Sequence, residues 1–382
     1  MTLTASIGIE LKQSHPINRI IGVSGFKIKY TMSFIENILE VPSYGWNDQN
    51  GNLVKPKASE LLKEFFSRLN IFKSRKNWLA FTSWGTLFAL LPFVIIFSVY
   101  YFSFTLILVG FLYGMFVMGT HGTIWYHRYS THQSYSFKNK FWRFLTQNLV
   151  PRMIPVEIYV VSHHVHHAKS DKPGDPYNAN GGWLYCFLAD VNHQPISQNL
   201  SEENYGRVAG FLKHTGVKCN TYLQYLRWGS VSHPFYTISG IVLNLTFWYL
   251  VFFMIGGNVM ACTLLGGAFF WALGVRTFNY NGHGRGENKK NPEIDFSIND
   301  RSVNQNWPGI VAGEWHNNHH LFPGSARAGF LKYQIDFAWY YIYFLYLIGG
   351  VSSYHNSKSQ FFKYYYQPYK ENLKKIKSKA IC

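Results

Sequence analysis

Two long stretches of this 382-residue chain contain no charged side chain. Lys, Arg, Asp and Glu are absent from residues 78–127 and again from residues 229–275. One membrane-spanning helix needs about 20 apolar residues, so each stretch is long enough for a hairpin of two such helices. The pattern excludes an ordinary soluble domain and predicts an all-α integral membrane protein with two transmembrane helical hairpins.

Acidic residues are scarce, because 19 Asp and Glu stand against 36 Lys and Arg, which gives a formal net charge of +17. Every basic residue lies outside the two uncharged stretches, and the expected hairpin tips near Tyr100 and Gly256 carry none. The positive-inside rule therefore predicts that both termini and the central segment lie in the cytoplasm. Nucleic-acid binding is the competing explanation of so basic a chain, but the membrane topology already explains the charge, and no nucleic-acid partner is expected.

Cysteine is also rare, and Cys186, Cys219, Cys262 and Cys382 form no close pair. This spacing predicts neither a disulfide framework nor a cysteine-based zinc site. On the predicted topology most of the thiols face a reducing compartment and are expected to be free. The N-terminus has no continuous apolar core, so no cleaved signal peptide is expected, and insertion depends on the first span.

The chain is predicted to have three parts. Residues 1–77 form a cytoplasmic N-terminal segment, residues 78–350 a membrane domain with spans at about 78–99, 102–120, 235–255 and 259–278, and residues 351–382 a basic cytoplasmic tail able to contact anionic headgroups. Residues 59–72 repeat apolar side chains at helical spacing, with Glu64 and its polar neighbours opposite. This amphipathic helix either lies on the cytoplasmic leaflet or packs against the polar domain, and both interpretations stay open.

Histidine is the residue that is present in excess and in clusters. Of 16 histidines, nine stand at spacings typical of metal ligands: His127, His132, His163, His166, His167, His283, His316, His319 and His320. In a helix, His163, His166 and His167 at i, i+3 and i+4 share one face, and the last three repeat that spacing. Neutral imidazole binds iron, copper, nickel and zinc, and so many ligands exceed the needs of one four-coordinate ion. Two metal ions are therefore predicted.

Further candidates lie where each hairpin leaves the membrane. His127 and His132 follow the second span, and since residues five apart do not share one face of an α-helix, we expect the helix to end or bend between them. Asn279 and His283 stand at i and i+4 at the corresponding end of the second hairpin. The two ends therefore mirror each other in delivering ligands.

A membrane metal transporter is the alternative from another functional class. Transporters place their ligands near the bilayer midplane, whereas these clusters lie at the cytoplasmic ends of the uncharged stretches. The position favours chemistry beside the membrane. For His121 a ligand role stays open, but we expect a satisfied residue near the membrane surface. His164 breaks the ligand spacing, and we expect it to lie behind the ligands or on the surface.

These motifs resemble those of the integral-membrane fatty acyl desaturases, in particular the delta-9 branch with stearoyl-CoA and bacterial acyl-lipid desaturases. The resemblance rests on H-R-x-x-x-H from His127, on H-x-x-H-H from His163 with the later D-P-Y-N from Asp175, on N-x-x-x-H from Asn279, and on E-W-H-N-N-H-H-x-F-P from Glu314. It covers about residues 78–346. The N-terminal segment has no match to the family.

The resemblance implies a di-iron enzyme with an almost all-histidine ligand set and two Fe²⁺ ions. It assigns one iron to His127, His132, His163, His167 and His319, and the other to His166, His283, His316 and His320, with Asn279 reaching the second iron through water. The implied reaction uses dioxygen to introduce a cis double bond, at the delta-9 position, into a saturated acyl-CoA or acyl-lipid chain. A hydroxylase or acetylenase on the same scaffold stays open, because the same oxidant supports those outcomes.

The remaining partners follow from what the chain lacks. Neither a cysteine-rich nor a haem-binding electron-transfer pattern is fused to the chain, so we expect a separate ferredoxin-like or haem-containing donor, together with membrane lipids. The fatty acyl desaturases usually have a small residue two positions before the first histidine of the H-R-x-x-x-H motif. This chain departs from that pattern with Trp125. We expect this bulky side chain to alter the acyl tunnel or the packing beside it.

Overall fold

The computed structural model describes residues 32–284 and 315–379. Expectations for residues 1–31, for the polar stretch 285–314 with Glu314, and for the last three residues lie outside the described part. The α-helices are Met32–Glu36, Ala58–Leu69, Trp78–Tyr100, Phe104–Leu112, Gly119–His121, Lys140–Gln147, Val156–Lys169, Trp183–Phe187, Ala189–Asn192, Glu202–Gly210, Tyr222–Trp228, Pro234–Gly274, Phe278–Gly282, His316–Leu321, Phe337–Leu347, Lys358–Phe361 and Gln367–Lys379. Segments of π-helix are Tyr113–Met118, Gly122–Thr131 and Phe362–Tyr366, and 3₁₀ turns are Arg75–Asn77, Ala179–Gly181, Lys213–Thr215 and Val275–Thr277.

Three helical stretches of the described residues are long and apolar enough to cross a membrane: Arg75–Tyr100, Phe104–Thr131 and Pro234–Gly282. A link of three residues joins the first two, which correspond to the predicted first hairpin. The apolar helix Phe337–Leu347 has 11 residues, which makes it about 16 Å long and too short to span a bilayer. The helices therefore have the lengths and composition of a membrane protein.

The helix Pro234–Gly274 is interrupted in its middle at Gly256 and Gly257. Gly257 has φ of 64° and ψ of −157°, a conformation that only glycine adopts without strain. On either side of this break, the ring of Phe252 lies 5.4 Å from that of Tyr113, and Gly267 contacts Gly114. In a continuous helix Phe252 and Gly267 are about 22 Å apart, so the chain folds back at the glycine pair, where the sequence predicted a turn.

Small residues allow the long helices to approach each other closely. A Cβ atom added at Gly114 would lie 2.6 Å from the carbonyl oxygen of Gly267, and one at Gly110 would lie 2.8 Å from that of Thr263. The helices therefore meet backbone to backbone, which is the usual way that transmembrane helices pack. This contact joins the Phe104–Leu112 helix to the second half of the interrupted helix.

The amphipathic helix Ala58–Leu69 packs against the start of the first span. Phe65 is buried, and its ring lies 4.8 Å from that of Trp84. Glu64, which was expected on the outer polar face, is also buried, and it pairs with Arg68 one helical turn later. That part of the prediction was wrong, because the arginine compensates the carboxylate inside the protein and allows the helix to turn this side inward.

A core of short helices supports the helix Val156–Lys169 from behind. Phe34 and Ile38 of the N-terminal segment, to which the sequence assigned no role, pack in one cluster with Val160 and Phe211. Pro151 and Pro155 lie between this helix and Lys140–Gln147, where proline interrupts a helix. The helix that carries the second histidine cluster is therefore held by residues from distant parts of the chain.

The described residues are mostly helical, consistent with the all-α prediction, and one small antiparallel sheet lies beside the helices. Its strands are Tyr135–Phe137 and Val351–Tyr354, with Tyr135 opposite Tyr354. Aromatic and β-branched side chains favour this pairing, but strands of three or four residues are too short to show a period in the sequence. The sheet connects the segment after His132 to the segment after the Phe337–Leu347 helix.

Candidate metal centre

The first pair of histidines lies at the end of a π-helix that runs from Gly122 to Thr131, with His127 inside it and His132 directly after it. In this winding, the backbone N–H of His132 donates to the carbonyl of His127 over 3.1 Å, five residues earlier. The two imidazoles consequently share one face, with ring centroids 4.9 Å apart. The helix ends at Thr131, between the two histidines as expected, and the wider π turn before this end aligns residues that an α-helix would separate.

The second cluster lies on the helix Val156–Lys169, as its spacing predicted. His163, His166 and His167 are all buried. His163 and His167 approach the first pair, whereas the ring of His166 lies 4.8 Å from that of His283. One helical face therefore supplies ligand candidates to two different places.

The third cluster lies on the short helix His316–Leu321. Asn318 fixes this helix, because its amide donates to the carbonyl of Ala328 over 2.8 Å and to the side-chain oxygen of Gln334 over 3.0 Å. An isolated helix of this length is unstable, so such tertiary bonds must hold its three imidazoles in place.

Together these elements form two groups of imidazoles, and the ligand atoms within each group lie within 4.8 Å of one another. The first group is His127, His132, His163, His167 and His319, and the second is His166, His283, His316 and His320. Every member is buried except His320, which is half-buried. The grouping coincides with the division that the family resemblance implies.

The Nε2 atoms approach closely within each group. They are separated by 2.9 Å for His127 and His319, 2.9 Å for His319 and His167, 3.2 Å for His167 and His163, 2.6 Å for His316 and His283, and 3.0 Å for His320 and His316. Nitrogen ligands about 2.1 Å from one ion and at right angles to each other are about 3 Å apart. The spacing therefore fits a shared metal ion in each group.

Three of the imidazoles are held from behind through Nδ1. His166 lies 3.0 Å from both carboxylate oxygens of Asp175, His283 lies 3.0 Å from the carboxylate of Asp171, and His163 lies 2.5 Å from the hydroxyl of Tyr177. An Nδ1–H that donates to such an oxygen leaves the lone pair on Nε2. This is the tautomer that binds a metal through Nε2.

The protonation and hydrogen bonding of the groups also fit a metal. The Nε2 atoms of His132 and His166 are buried without a hydrogen-bond partner, an unfavourable state for polar atoms unless a ligand binds them. Burial, and then the neighbouring imidazoles, lower the pKa of five members well below the usual range: His132, His163, His167, His319 and His320. Neutral imidazoles with converging lone pairs fit a divalent ion such as iron.

A buried ion pair connects the first and third clusters. Arg128, which lies between His127 and His132, is 2% exposed and its guanidinium is 2.9 Å from the carboxylate of Asp336. It also donates to the carbonyl of Ala326 over 2.7 Å. Asp336 in turn caps the helix that follows it, so the segment after the third cluster is tied to the π-helix.

A second buried ion pair fixes the end of the other long helix. The guanidinium of Arg276 lies 2.9 Å from the carboxylate of Asp190, which also accepts from the side chains of Ser83 and Trp84 at 3.2 Å each. The guanidinium lies 4.8 Å from the ring centroid of Trp84. The segment that carries His283 is therefore attached to the first span.

Three residues singled out in the sequence lie outside the two groups. Asn279 is half-buried, and its backbone carbonyl accepts the N–H of His283 over 3.0 Å, while metal binding through its side chain stays a prediction. His121 is buried on the α-helical turn Gly119–His121, and its Nδ1 has no hydrogen-bond partner among the described residues, so the expectation of a satisfied histidine was wrong. The ring of His164 packs 4.4 Å from that of Phe211, which places it behind the ligand helix.

Trp125 lies in a packed aromatic cluster. It is 1% exposed and stacks on Tyr129 with ring centroids 5.2 Å apart. The cluster includes Trp339 and Ile342 of the Phe337–Leu347 helix. The structure thus supports the packing alternative for Trp125, and an effect on the acyl tunnel stays a prediction.

Sequence reasoning did not find the side chains that support the imidazoles. Asp171 and Tyr177 stand in a turn-rich loop, and Asp336 is far from the histidines in sequence. The available signal was weak: a loop directly after a ligand helix contains two carboxylates. Their roles depend on how the loop folds back, which spacing alone does not show.

The fatty acid desaturase family model matches residues 102–341, which is more than half of the chain. The chain therefore belongs to the fatty acid desaturase family and is an oxidoreductase of that class. The helices that supply the two imidazole groups lie mostly within the matched region.

Several desaturases and an acetylenase are similar to this chain. An sn-1 stearoyl-lipid 9-desaturase of Anabaena variabilis is 27% identical over 241 residues, which cover 59% of this chain and 75% of that protein. Delta-9 acyl-lipid desaturase 1 of Arabidopsis thaliana is 26% identical over 240 residues, 59% of this chain and 68% of that protein. A hex-5-enoyl-[acyl-carrier protein] acetylenase of Moorena producens (strain JHB) is 27% identical over 276 residues, 64% of this chain and 75% of that protein. The first two are delta-9 lipid desaturases, and the third is an acetylenase.

Proposed function

We propose that this protein is a di-iron desaturase that introduces a cis double bond, at the delta-9 position, into a saturated acyl chain carried on a lipid or on CoA. Family membership and the two lipid desaturases support an acyl substrate, and the imidazole groups support the metal centre. The reaction removes two hydrogen atoms from adjacent carbons. One dioxygen, two electrons and two protons are consumed, and two water molecules form.

The pair of buried imidazole groups is the observation that carries this proposal. We assign one iron to each group, with Asn279 reaching the second iron through water. Iron is favoured over zinc because an unactivated methylene yields its hydrogen only to a strong oxidant, and zinc has no redox chemistry. Bound iron supplies that oxidant from dioxygen, and the protein supplies orientation and protection.

The protein's own contribution is a fixed and largely buried ligand cage. The rings of Tyr159 and Tyr177 stack on His163, with centroids 5.3 and 6.1 Å away. Carboxylates behind His166 and His283 fix the orientation of those rings. Excluding water in this way confines a reactive oxidant to the carbons presented to it.

The proposed topology has four spans, because Pro234–Gly282 folds back at Gly256 and Gly257. Both termini and the metal centre then lie on the cytoplasmic side, as the distribution of Lys and Arg favours. The long helices that supply His127 and His283 reach the centre from the membrane, so an acyl chain can approach from the bilayer. Residues 1–77, 78–350 and 351–382 are the proposed N-terminal segment, desaturase domain and basic tail.

The reaction needs partners beyond the acyl substrate and dioxygen. We propose that a separate ferredoxin-like or haem-containing protein delivers the electrons at the cytoplasmic face. Membrane lipids surround the spans and, for an acyl-lipid substrate, also supply it. The relatives named above include lipid desaturases and an enzyme acting on acyl-carrier protein, so the carrier is a separate question from the chemistry.

An acetylenase is the second candidate, and the Moorena producens relative is the observation that favours it. That protein is as similar to this chain as the lipid desaturases are. An acetylenase removes two further hydrogens from an existing double bond, and a hydroxylase on the same scaffold inserts oxygen instead. Only the products distinguish these outcomes.

The test is expression in a host that lacks its own desaturase, followed by mass spectrometry of the membrane fatty acids with localisation of double bonds. A new cis monoene that is absent from the His166→Ala control supports the proposal and gives its position. Triple-bonded or hydroxylated acids would support the second candidate. Unchanged fatty acids with a supplied electron donor and bound iron would contradict both.

A further inference from the structure

The loop Asp171–Tyr177 follows the helix that carries the second histidine cluster and is braced by its own hydrogen bonds. Asp171 has a positive φ of 60° and its backbone N–H donates to the carboxylate of Asp175 over 2.9 Å. The same carboxylate accepts the backbone N–H of Tyr177 over 3.2 Å. The amide of Asn178 donates to the carbonyl of Lys172 over 3.0 Å. Hydrogen bonds within the loop therefore contribute to its shape.

Three side chains of this loop each reach a different imidazole. Asp171 contacts His283, which is 112 residues later in the chain, Asp175 contacts His166, and Tyr177 contacts His163. Asp175 is 0% exposed, so its charge acts in a poorly solvated environment. Asp171 is half-buried and anchors a histidine from the end of the other long helix.

The loop contacts the two imidazole groups through different kinds of side chain. Both carboxylates lie behind members of the second group, His166 and His283, while the neutral hydroxyl lies behind His163 of the first. A carboxylate that accepts Nδ1–H fixes the ring and increases electron donation from Nε2, whereas a hydroxyl mainly fixes the ring. The same loop therefore acts on the two groups in different ways.

We propose that the Asp171–Tyr177 loop is a positioning element that sets the metal affinity of the second group through its carboxylates and orients the first through Tyr177. The inference rests on the proposed di-iron function. Residues that support a metal ligand in this way typically change affinity by about 10- to 100-fold. Loss of either carboxylate is expected to weaken the binding of one metal ion and leave the other tightly bound.

The test is anaerobic ferrous iron binding to the full-length protein in detergent or nanodiscs, measured by equilibrium dialysis and by ⁵⁷Fe Mössbauer spectroscopy. Asp171→Asn and Asp175→Asn keep the side-chain shape and an acceptor oxygen but remove the charge. In each variant we expect one iron to bind as tightly as in the wild type and the affinity for the other to fall by about 10- to 100-fold. One component of the Mössbauer spectrum should change. Tyr177→Phe is expected to perturb the other component, with a smaller change in affinity.

Two controls separate the inference from a general loss of structure. Lys172→Ala alters an exposed side chain of the same loop, and this variant should bind both irons as the wild type does. In the His283→Ala background, adding Asp171→Asn should not lower the iron affinity further, because the aspartate acts through that histidine. Additive losses in this pair would show that Asp171 acts elsewhere.

The outcomes also distinguish this inference from the proposed function. A wild-type protein that binds no iron at either group would overturn the proposed function itself. A wild type with two tight irons and aspartate variants that match it would overturn only the role of the loop. Equal weakening of both irons in Asp171→Asn and Asp175→Asn, in folded protein, would likewise reject the assignment to the second group.

Discussion

The two long helices Phe104–Thr131 and Pro234–Gly282 both lead to the metal centre, but they present their histidines differently. The first changes to π winding, which aligns His127 and His132 on one face. The second ends in short 3₁₀ and α turns and presents His283 alone, which then needs Asp171 from another segment. The helix that presents two histidines gains their geometry from local winding, while the one that presents a single histidine has it held by a tertiary contact.

The two helices also differ in how their ends are fixed. Arg128 pairs with Asp336 beyond the third cluster, so that ion pair links two sets of ligands directly. Arg276 pairs with Asp190 and contacts the first span, so it links a single ligand to the membrane helices. The difference suggests that damage to the first helix end should affect both imidazole groups, and damage to the second mainly one.

The largest expected effect tests whether both helix ends are equally essential. His127→Ala and His283→Ala remove one imidazole from each group, and both should reduce desaturated product to background in the deficient host, because the reaction needs both ions. His164→Ala is the matched control, since its ring packs on Phe211 outside the groups, and it should retain product. Activity in either of the first two variants would remove that histidine from the ligand set.

The next effect concerns the two buried ion pairs. Arg128→Met leaves Asp336 buried without its partner and should lower the free energy of unfolding by about 3–5 kcal/mol. Arg276→Met should have a similar effect through Asp190, but with iron lost mainly from one group. Chemical denaturation in detergent micelles measures the free energy of unfolding, and metal analysis measures the iron content.

The double variant Arg128→Met with Asp336→Leu is the control for that comparison. It removes the uncompensated carboxylate, and it should recover part of the stability lost in the single variant. A double variant less stable than Arg128→Met alone would indicate that Asp336 acts mainly as a helix cap and acceptor of backbone N–H groups.

A smaller effect tests the close contact between the helices. Gly114→Ala places a Cβ atom 2.6 Å from the carbonyl oxygen of Gly267 and should cost about 2 kcal/mol by forcing the helices apart. Gly206→Ala is the matched control, because nothing lies within 4 Å of its added Cβ, and it should be neutral or slightly stabilising. Thermal unfolding of both variants, compared with the wild type, measures the difference.

The smallest expected effect is on stability and comes from substitutions in the two hairpin turns. Gly257→Ala should cost about 1 kcal/mol, since its positive φ of 64° strains any residue with a Cβ. Ser103→Ala, in the link between the first two long helices, should change stability by less than about 0.5 kcal/mol, because that residue is extended with φ of −157°. Equal stabilities of the two variants would show that the glycine turn is not required for the fold-back.

Much of this arrangement follows from local sequence patterns. The absence of charge indicates the long apolar helices, the glycine pair indicates the break in the longest one, and i, i+3, i+4 spacing indicates the ligand helix with His163 and His166. These features depend on residues close together in the chain. They are therefore visible without a structure.

Other features depend on geometry that sequence spacing does not encode. The π winding near His127 arises from a change in hydrogen-bond register, and the usual α-helical period gives the wrong face for His132. Burial of Glu64 depends on its pairing with Arg68 against the first span. The contact of Asp171 with His283 joins residues far apart in the chain, so only the folded molecule reveals it.

The most direct test of the central claim is the metal content of the purified wild-type protein expressed with sufficient iron. Elemental analysis against protein concentration should give two irons per chain, falling to about one in variants that disable a single group. A protein that retains fewer than one iron, or that binds zinc in preference under these conditions, would contradict the assignment of the two histidine groups to a di-iron centre.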